Sequence, residues 1–277
     1  MRVVDLGGAV DPADPRLADF RDLSRADRRP DRPGGRGLVL AEGTVVVRRL
    51  LASPYPPRAV LGVSRRVADL AEDAATGAPS DLPAYVTDAD AMARVVGFHL
   101  NRGVLASADR PPPPDPATLL AGARRVLVLE GVNDHENLGS LFRNAAALGV
   151  DAVLVGPGCA DPLYRRSVRV SMGHVLRVPF AVVEWPAAVA ALRAEGLVLA
   201  ALTPGGTATG WADVAGLERV AVMVGAEGPG LSDEALALAD VRLRIPMVAG
   251  VDSLNVATAA AIALHALAPR GPGAPTR

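Results

Sequence analysis

Short apolar runs and helix-length amphipathic stretches alternate along the second half of the chain. "RVLVLEG", "DAVLVG", "LVLAALTP" and "RVAVMVG" read as buried strands, while "NLGSLFRNAAALG" and "PAAVAALRAEG" carry the helical spacing of apolar positions. Such alternation predicts a parallel sheet covered by helices. In sheets of that kind ligands collect beyond the carboxyl ends of the strands. Polar or glycine-rich turns stand there: "EGVNDHENLG", "TPGG", "GAEGPGLS" and "PMVAGVDSLN" each follow an apolar run.

The first half reads differently. "GLVLAEG" and "RAVLGVS" predict strands, "TVVVRRLLAS" and "RRVADLAEDA" helices, and "PAYVTDADAMARVVG" a strand followed by a helix. This is a small α/β domain with no visible catalytic constellation. Between the halves lies "ADRPPPPDPATLL", whose four prolines at 111–114 exclude helix and central strand and favour a stiff, extended connector. The expected division is an N-terminal domain over 1–110, a connector over 111–119, a larger domain over 120–268 and a flexible tail over 269–277.

The stretch 245–267, "IPMVAGVDSLNVATAAAIALHAL", sets a polar cluster at the mouth of an apolar, alanine-rich helix. Ser253 or Asn255 can cap that helix by accepting hydrogen bonds from its free amides. Asn137 can cap the earlier helix in the same way, and Glu227 can be an ordinary loop charge. Each of these residues therefore has a structural reading beside any chemical one.

Composition narrows the function classes. The chain has 277 residues, 50% hydrophobic and 21% charged, with a formal net charge of −1, which excludes a uniformly basic nucleic-acid coat but not local patches. Its 29 basic Lys/Arg residues are all Arg. Arg21, Arg25, Arg28, Arg29, Arg32 and Arg36 form a run that reads first as a solvated, mobile segment and second as a binder of phosphates. The single cysteine, Cys159, rules out an internal disulfide framework and a multi-cysteine zinc site, as expected in a reducing cytoplasm. The sequence predicts no export signal and no membrane span.

Several familiar sites are missing. "GVNDHENLGSLFRN" lacks the G-x-G-x-x-G of a dinucleotide fold, there is no G-K-[ST] of a P-loop, and no G-x-S-x-G elbow. His135 beside Glu136 has no second ligand pair at metal spacing, so no metal is expected. What survives is a set of strand-end turns able to hold a nucleotide-like ligand through backbone groups.

Three of these stretches, "NLGSLFRNAAALG", "VMVGAEGPGLS" and "IPMVAGVDSLNVATAAAIAL", occur in that order and closely resemble the three motifs of the SpoU (TrmH-like) ribose methyltransferases of the SPOUT superfamily. The resemblance spans about residues 120–268. It departs at the first motif, where Asp134-His135-Glu136-Asn137 stands in place of the usual Asp-Pro-x-Asn. The N-terminal part resembles, more weakly, the ribosomal-protein-like substrate-binding domain of ribosomal-RNA members. The resemblance implies an α/β fold whose C-terminal domain closes a trefoil knot around a parallel sheet, a fold that connection rules alone would refuse. It implies S-adenosylmethionine as cofactor, with Gly225, Ile245 and Leu254 at contact positions and Leu202, Thr203, Pro204 and Met247 as neighbours.

The resemblance also implies an RNA substrate methylated on a ribose 2′-hydroxyl, a homodimer, and catalytic positions Arg143, Asn137, Glu227, Ser253 and Asn255. Arginine stays protonated, so Arg143 is expected to act as a cation rather than as a base. The N-terminal domain favours ribosomal RNA. The alternatives are a transfer-RNA ribose methylase and a knotted RNA-binding protein without activity. Tyr164, Arg165, Arg166 and Arg169 could form an RNA-facing strip or a solvated helix face, and His174, His265 and Cys159 read as structural groups.

Overall fold

The computed structural model describes residues 1–23, 37–73, 76–205, 211, 214, 216–248 and 250–267. Five members of the arginine run, Arg25 through Arg36, and the expected tail 269–277 lie outside the described residues. The chain divides into two compact units, one comprising Met1–Pro112 with Asp161–Arg177, the other Pro113–Ala160 with Val178–Arg277.

The first unit is built on strands β1 (Arg2–Asp5), β2 (Val39–Glu42), β3 (Pro57–Gly62), β4 (Pro83–Val86) and β5 (Val104–Ala108) in the order β1-β4-β3-β5-β2. The first three in that order run parallel, and β5 pairs antiparallel with both neighbours. Helices α1 (Thr44–Leu51), α2 (Ser64–Ala71) and α3 (Ala89–Val96) supply its covering layers. Leu17, Phe20, Leu61, Met92 and Leu105 are closed into one of its cores. α3 shows how sequence sets a boundary: the Asp88 carboxylate accepts from the Ala91 amide at 2.7 Å, and Gly97, left-handed at φ +87°, ends the helix.

Segment Asp161–Arg177, expected in the second domain, packs with the first unit instead. The reason is a set of polar anchors no hydrophobic pattern reveals. Arg165 Nη1 pairs with the buried Glu42 carboxylate at 3.0 Å, and its guanidinium lies 4.8 Å above the Phe98 ring. Arg110 holds Asp161, and Arg49 donates to the Met172 carbonyl.

The second unit begins inside the predicted connector, where helix α4 (Pro116–Leu120) starts with proline at its first turn and Asp115 as its cap. Strands β6 (Arg125–Leu129), β7 (Ala152–Val155), β8 (Phe180–Val182), β9 (Val198–Leu202), β10 (Val220–Val224) and β11 (Val241–Leu243) form a six-stranded sheet ordered β11-β9-β10-β6-β7-β8. Every pairing in it is parallel. Its inner strands β9, β10, β6 and β7 are buried on both faces, which is why they read as continuous apolar runs rather than alternating ones.

The helices of this unit are α5 (His135–Ala147), α6 (Ala187–Ala194), α7 (Asp233–Leu238) and α8 (Val256–Ala266). Leu120 of α4 and Ala188, Val189 and Leu192 of α6 pack into one core cluster with strand residues. α8 packs on α5, β9 and β10, and the polar cluster Asp252, Ser253 and Asn255 stands directly before its first turn. Among the described residues no helix is long and apolar enough to cross a membrane.

Candidate functional site

The first-motif helix starts on an aspartate. Asp134 Oδ1 accepts from the amides of Glu136 and Asn137 at 2.9 and 2.8 Å, so α5 opens at His135 without the usual proline. Asn137 is therefore a helical residue and not the cap. Its side chain is released to cross to two other elements: Nδ2 donates to Glu227 Oε2 at 2.9 Å, and Oδ1 accepts from Asn255 Nδ2 at 2.7 Å.

Asn255 completes the line. Its Oδ1 accepts from the Ala257 and Thr258 amides at 3.0 and 3.3 Å, capping α8. The polarity of the chain is forced throughout. Helix amides need an acceptor, so Asn255 presents oxygen to them and its amide group to Asn137. Asn137 then has its own amide group left for the Glu227 carboxylate. Reversing either asparagine would set two donors or two acceptors face to face. Capping and site-building are thus one role for Asn255.

Seven residues beyond Asn137, and on the same face of α5, Asn144 Nδ2 donates to the Ala257 carbonyl at 2.8 Å. Two asparagines two turns apart therefore hold the start of α8. Sequence reading missed Asn144, although the spacing of the pair was the signal. It also missed Glu130, an acidic residue directly after a buried strand, whose carboxylate is enclosed by Trp185 and Ser232.

The second motif forms a tight loop beyond β10. Ala226 and Gly230 exchange backbone hydrogen bonds of 3.1 and 3.0 Å, and Gly228 and Gly230 take positive φ of +93° and +75°. Gly225 must be glycine for a reason internal to this loop: a Cβ there would stand 2.2 Å from the Gly230 carbonyl carbon and 2.3 Å from the Leu231 nitrogen. The close approach expected for a ligand is made by the loop's own backbone.

One cleft lies beyond the ends of β9 and β10. Leu202, Thr203 and Pro204 form one wall, Gly225 and Glu227 a second, Ile245 and Met247 a third, and Ser253 and Leu254 a fourth. Among the described residues the backbone groups of Gly225, Ile245, Met247 and Leu254 enter no backbone–backbone hydrogen bond. The cleft thus offers apolar walls with backbone amide and carbonyl groups that pair with no other backbone among the described residues, which suits a flat, nitrogen-rich ring. Arg143 does not border it. It stands exposed on α5 and makes no hydrogen bond or ion pair among the described residues.

With this geometry in hand, comparison with known proteins is decisive. Residues 124–265 match the model of the SpoU rRNA Methylase family. The chain belongs to the SpoU family. A tRNA/rRNA methyltransferase of Mycobacterium tuberculosis, itself uncharacterised, is 58% identical over 95% of this chain and 91% of its own length. The 23S rRNA (guanosine(2553)-2′-O)-methyltransferase RlmP of Bacillus subtilis is 32% identical over 82% of this chain and 87% of its own. In fold, the chain resembles an AdoMet-bound rRNA methyltransferase from Sinorhizobium meliloti, with a TM-score of 0.77 at 23% identity over 96% of this chain and 97% of that one. It also resembles the SpoU methyltransferase AviRb from Streptomyces viridochromogenes, with a TM-score of 0.76 at 23% identity over 91% and 96%.

Two further residues of this SpoU chain have defined surroundings. Arg165, expected on an RNA-facing strip, is committed to Glu42 and Phe98 within the first unit, and its side chain is 18% exposed. Cys159 sits where burial pushes its thiol up to about 11, consistent with an inert group.

Proposed function

We propose that this SpoU-family chain transfers a methyl group from S-adenosylmethionine to a ribose 2′-hydroxyl of ribosomal RNA. One observation carries the reading: the Asn255–Asn137–Glu227 hydrogen-bonded line ends on a carboxylate at the rim of the cleft. An apolar slot beside an ordered polar rim suits a cofactor with an aromatic base and a reactive polar end. The backbone groups of Ile245, Met247 and Leu254 would hold the base, and Leu202, Thr203 and Pro204 would flank it. When bound, the cofactor supplies an electrophilic methyl on a sulfonium.

The chain's own residues do the rest. Asn137 and Asn255 fix Glu227 so that its second oxygen faces the incoming ribose, and Ser253, exposed and without a hydrogen bond among the described residues, serves the same sugar. Arg143 makes no hydrogen bond or ion pair among the described residues, so its guanidinium is placed to hold a phosphate beside the reacting ribose and to stabilise the emerging alkoxide; the proton leaves through phosphate or water. The name of the Bacillus relative supports the ribose oxygen and ribosomal RNA as targets. The substantial first unit supports RNA selection. The reading includes a cytoplasmic enzyme, a chain knotted where Gly225, Glu227, Ile245 and Leu254 meet at the cleft, and a homodimer whose second copy covers Val251 and Ile262, both exposed here.

Calorimetry tests the cofactor half. Wild-type protein should bind S-adenosylmethionine in chelator, and Leu254→Arg, which sets a cation in the slot against the sulfonium, should abolish binding without unfolding. A wild-type protein with no affinity for the cofactor would remove the proposal's basis.

A further inference from the structure

The loop 225–231 carries both a cleft wall and Glu227, and one residue outside it holds both of its ends. At the start, the Glu130 amide donates to the Val224 carbonyl at 3.0 Å. At the finish, Glu130 Oε2 accepts from the Ser232 amide at 2.8 Å and Oε1 from the Ser232 hydroxyl at 2.7 Å. Oε1 also accepts from Trp185 Nε1 at 3.1 Å. Ser232 in turn caps α7, its Oγ accepting from the Ala235 amide at 3.1 Å. The neighbouring turn is seated against the same loop: Gly131 has φ +66°, and a Cβ on it would stand 3.0 Å from the Ala226 Cβ.

Glu130 is 9% exposed, and among the described residues no basic side chain forms an ion pair with it. A buried carboxylate so placed is costly unless hydrogen bonds replace its water. Three donors do so here, and two of them belong to the residue that closes the loop. We infer that Glu130 is a positioning residue for the methyl-transfer site, fixing the span and tilt of 225–231 and through it the placement of Gly225 and Glu227. The inference rests on the proposed function for its consequence and on geometry alone for the loop.

The test compares Glu130→Gln with Trp185→Phe. Glutamine keeps the shape but has one carbonyl oxygen for donors that now meet two oxygens, so an amide group must face Ser232. Phenylalanine removes only the third donor and leaves both Ser232 bonds. Two readouts are taken on the full chain: hydrogen exchange of the Ser232 and Gly230 amides without ligand, and calorimetric affinity for S-adenosylmethionine.

Glu130→Gln should speed exchange and weaken affinity, each by about tenfold or more, while Trp185→Phe stays within about twofold in both. If Glu130→Gln fails to fold, Ser232→Ala takes its place, with at least about threefold changes expected in the same readouts. Unchanged exchange in the variant, or equal losses in Trp185→Phe, would overturn the positioning role and leave a carboxylate that only stabilises its surroundings. A wild-type protein that does not bind the cofactor would refute the proposed function, while the exchange arm would still judge the loop.

Discussion

Asn255 donates its side-chain amide to Asn137 Oδ1 at 2.7 Å while its own oxygen accepts from the first amides of α8. One side chain thus performs a structural and a site-building task with opposite ends, and substitution can separate them. Aspartate caps a helix about as well as asparagine but cannot donate to Asn137. Asn255→Asp should therefore melt within about 0.5 kcal/mol of wild type and lose methyl transfer by about 100-fold. Asn255→Ala should lose both, with a stability cost of about 1 kcal/mol. Thermal melts beside initial rates decide it, and an active Asn255→Asp would mean that Asn255 is only a cap.

Arg143 stands exposed with its charge uncommitted among the described residues, so its removal should cost the fold little. Arg143→Ala should change stability by no more than about 0.5 kcal/mol and leave cofactor affinity intact, while turnover falls by about 100-fold or more. Arg143→Lys should keep part of the activity, because a point charge replaces the bidentate fork. Equal rates for Arg143→Ala and wild type would remove the cation from the mechanism.

Gly225 faces the backbone of Gly230 and Leu231, with no flexible side chain to give way. Gly225→Ala should destabilise the chain by about 1–3 kcal/mol and weaken cofactor binding as the loop shifts. Gly205 is the control, since a Cβ there meets nothing within 4 Å and its φ is not positive. Gly205→Ala should be neutral or slightly stabilising. Denaturant melts of the two proteins measure the contrast.

How much of this was legible follows from where the information lies. Strands β6, β9 and β10 and helix α5 stand where apolar runs place them, because a doubly covered parallel sheet writes burial directly into sequence. The three-residue strands β8 and β11 were not legible, since so short a run has no period of its own. Helix α4 hid behind its prolines, although Asp115 followed by Pro116 is a helix start. The placement of Asp161–Arg177 rests on pairs such as Arg165 with Glu42, 123 residues apart, which a local pattern cannot show. At the site, the residues meeting at the cleft were named from motif resemblance, whereas Asn144 and Glu130 were missed: the seven-residue spacing from Asn137 marks the first, but both hold partners more than 100 residues away.

Cys159 gives a pH test. Its thiol ionises at about 11 instead of the usual 9.0 because burial disfavours the thiolate. At pH 8 this lowers the thiolate fraction about 100-fold, so alkylation of the native protein should be slower than that of the unfolded chain by about that factor. The sign for stability is equally definite. The folded state holds the proton more tightly, so this contribution is present below pH 9.0 and is lost as pH rises toward about 11. Cys159→Ala should lose less stability than wild type over that window in alkaline melts.

Asn137, Arg143 and Glu227 are proposed to serve methyl transfer to a ribose oxygen. The most direct measurement is incubation of the purified full chain with labelled S-adenosylmethionine and total RNA. The modified nucleotide is then mapped and its methyl located on base or sugar. The label should appear in ribosomal RNA, on a 2′-oxygen, at one position, and be absent with Arg143→Ala. A label on a base, or one that persists in Arg143→Ala protein at the wild-type rate, would contradict it.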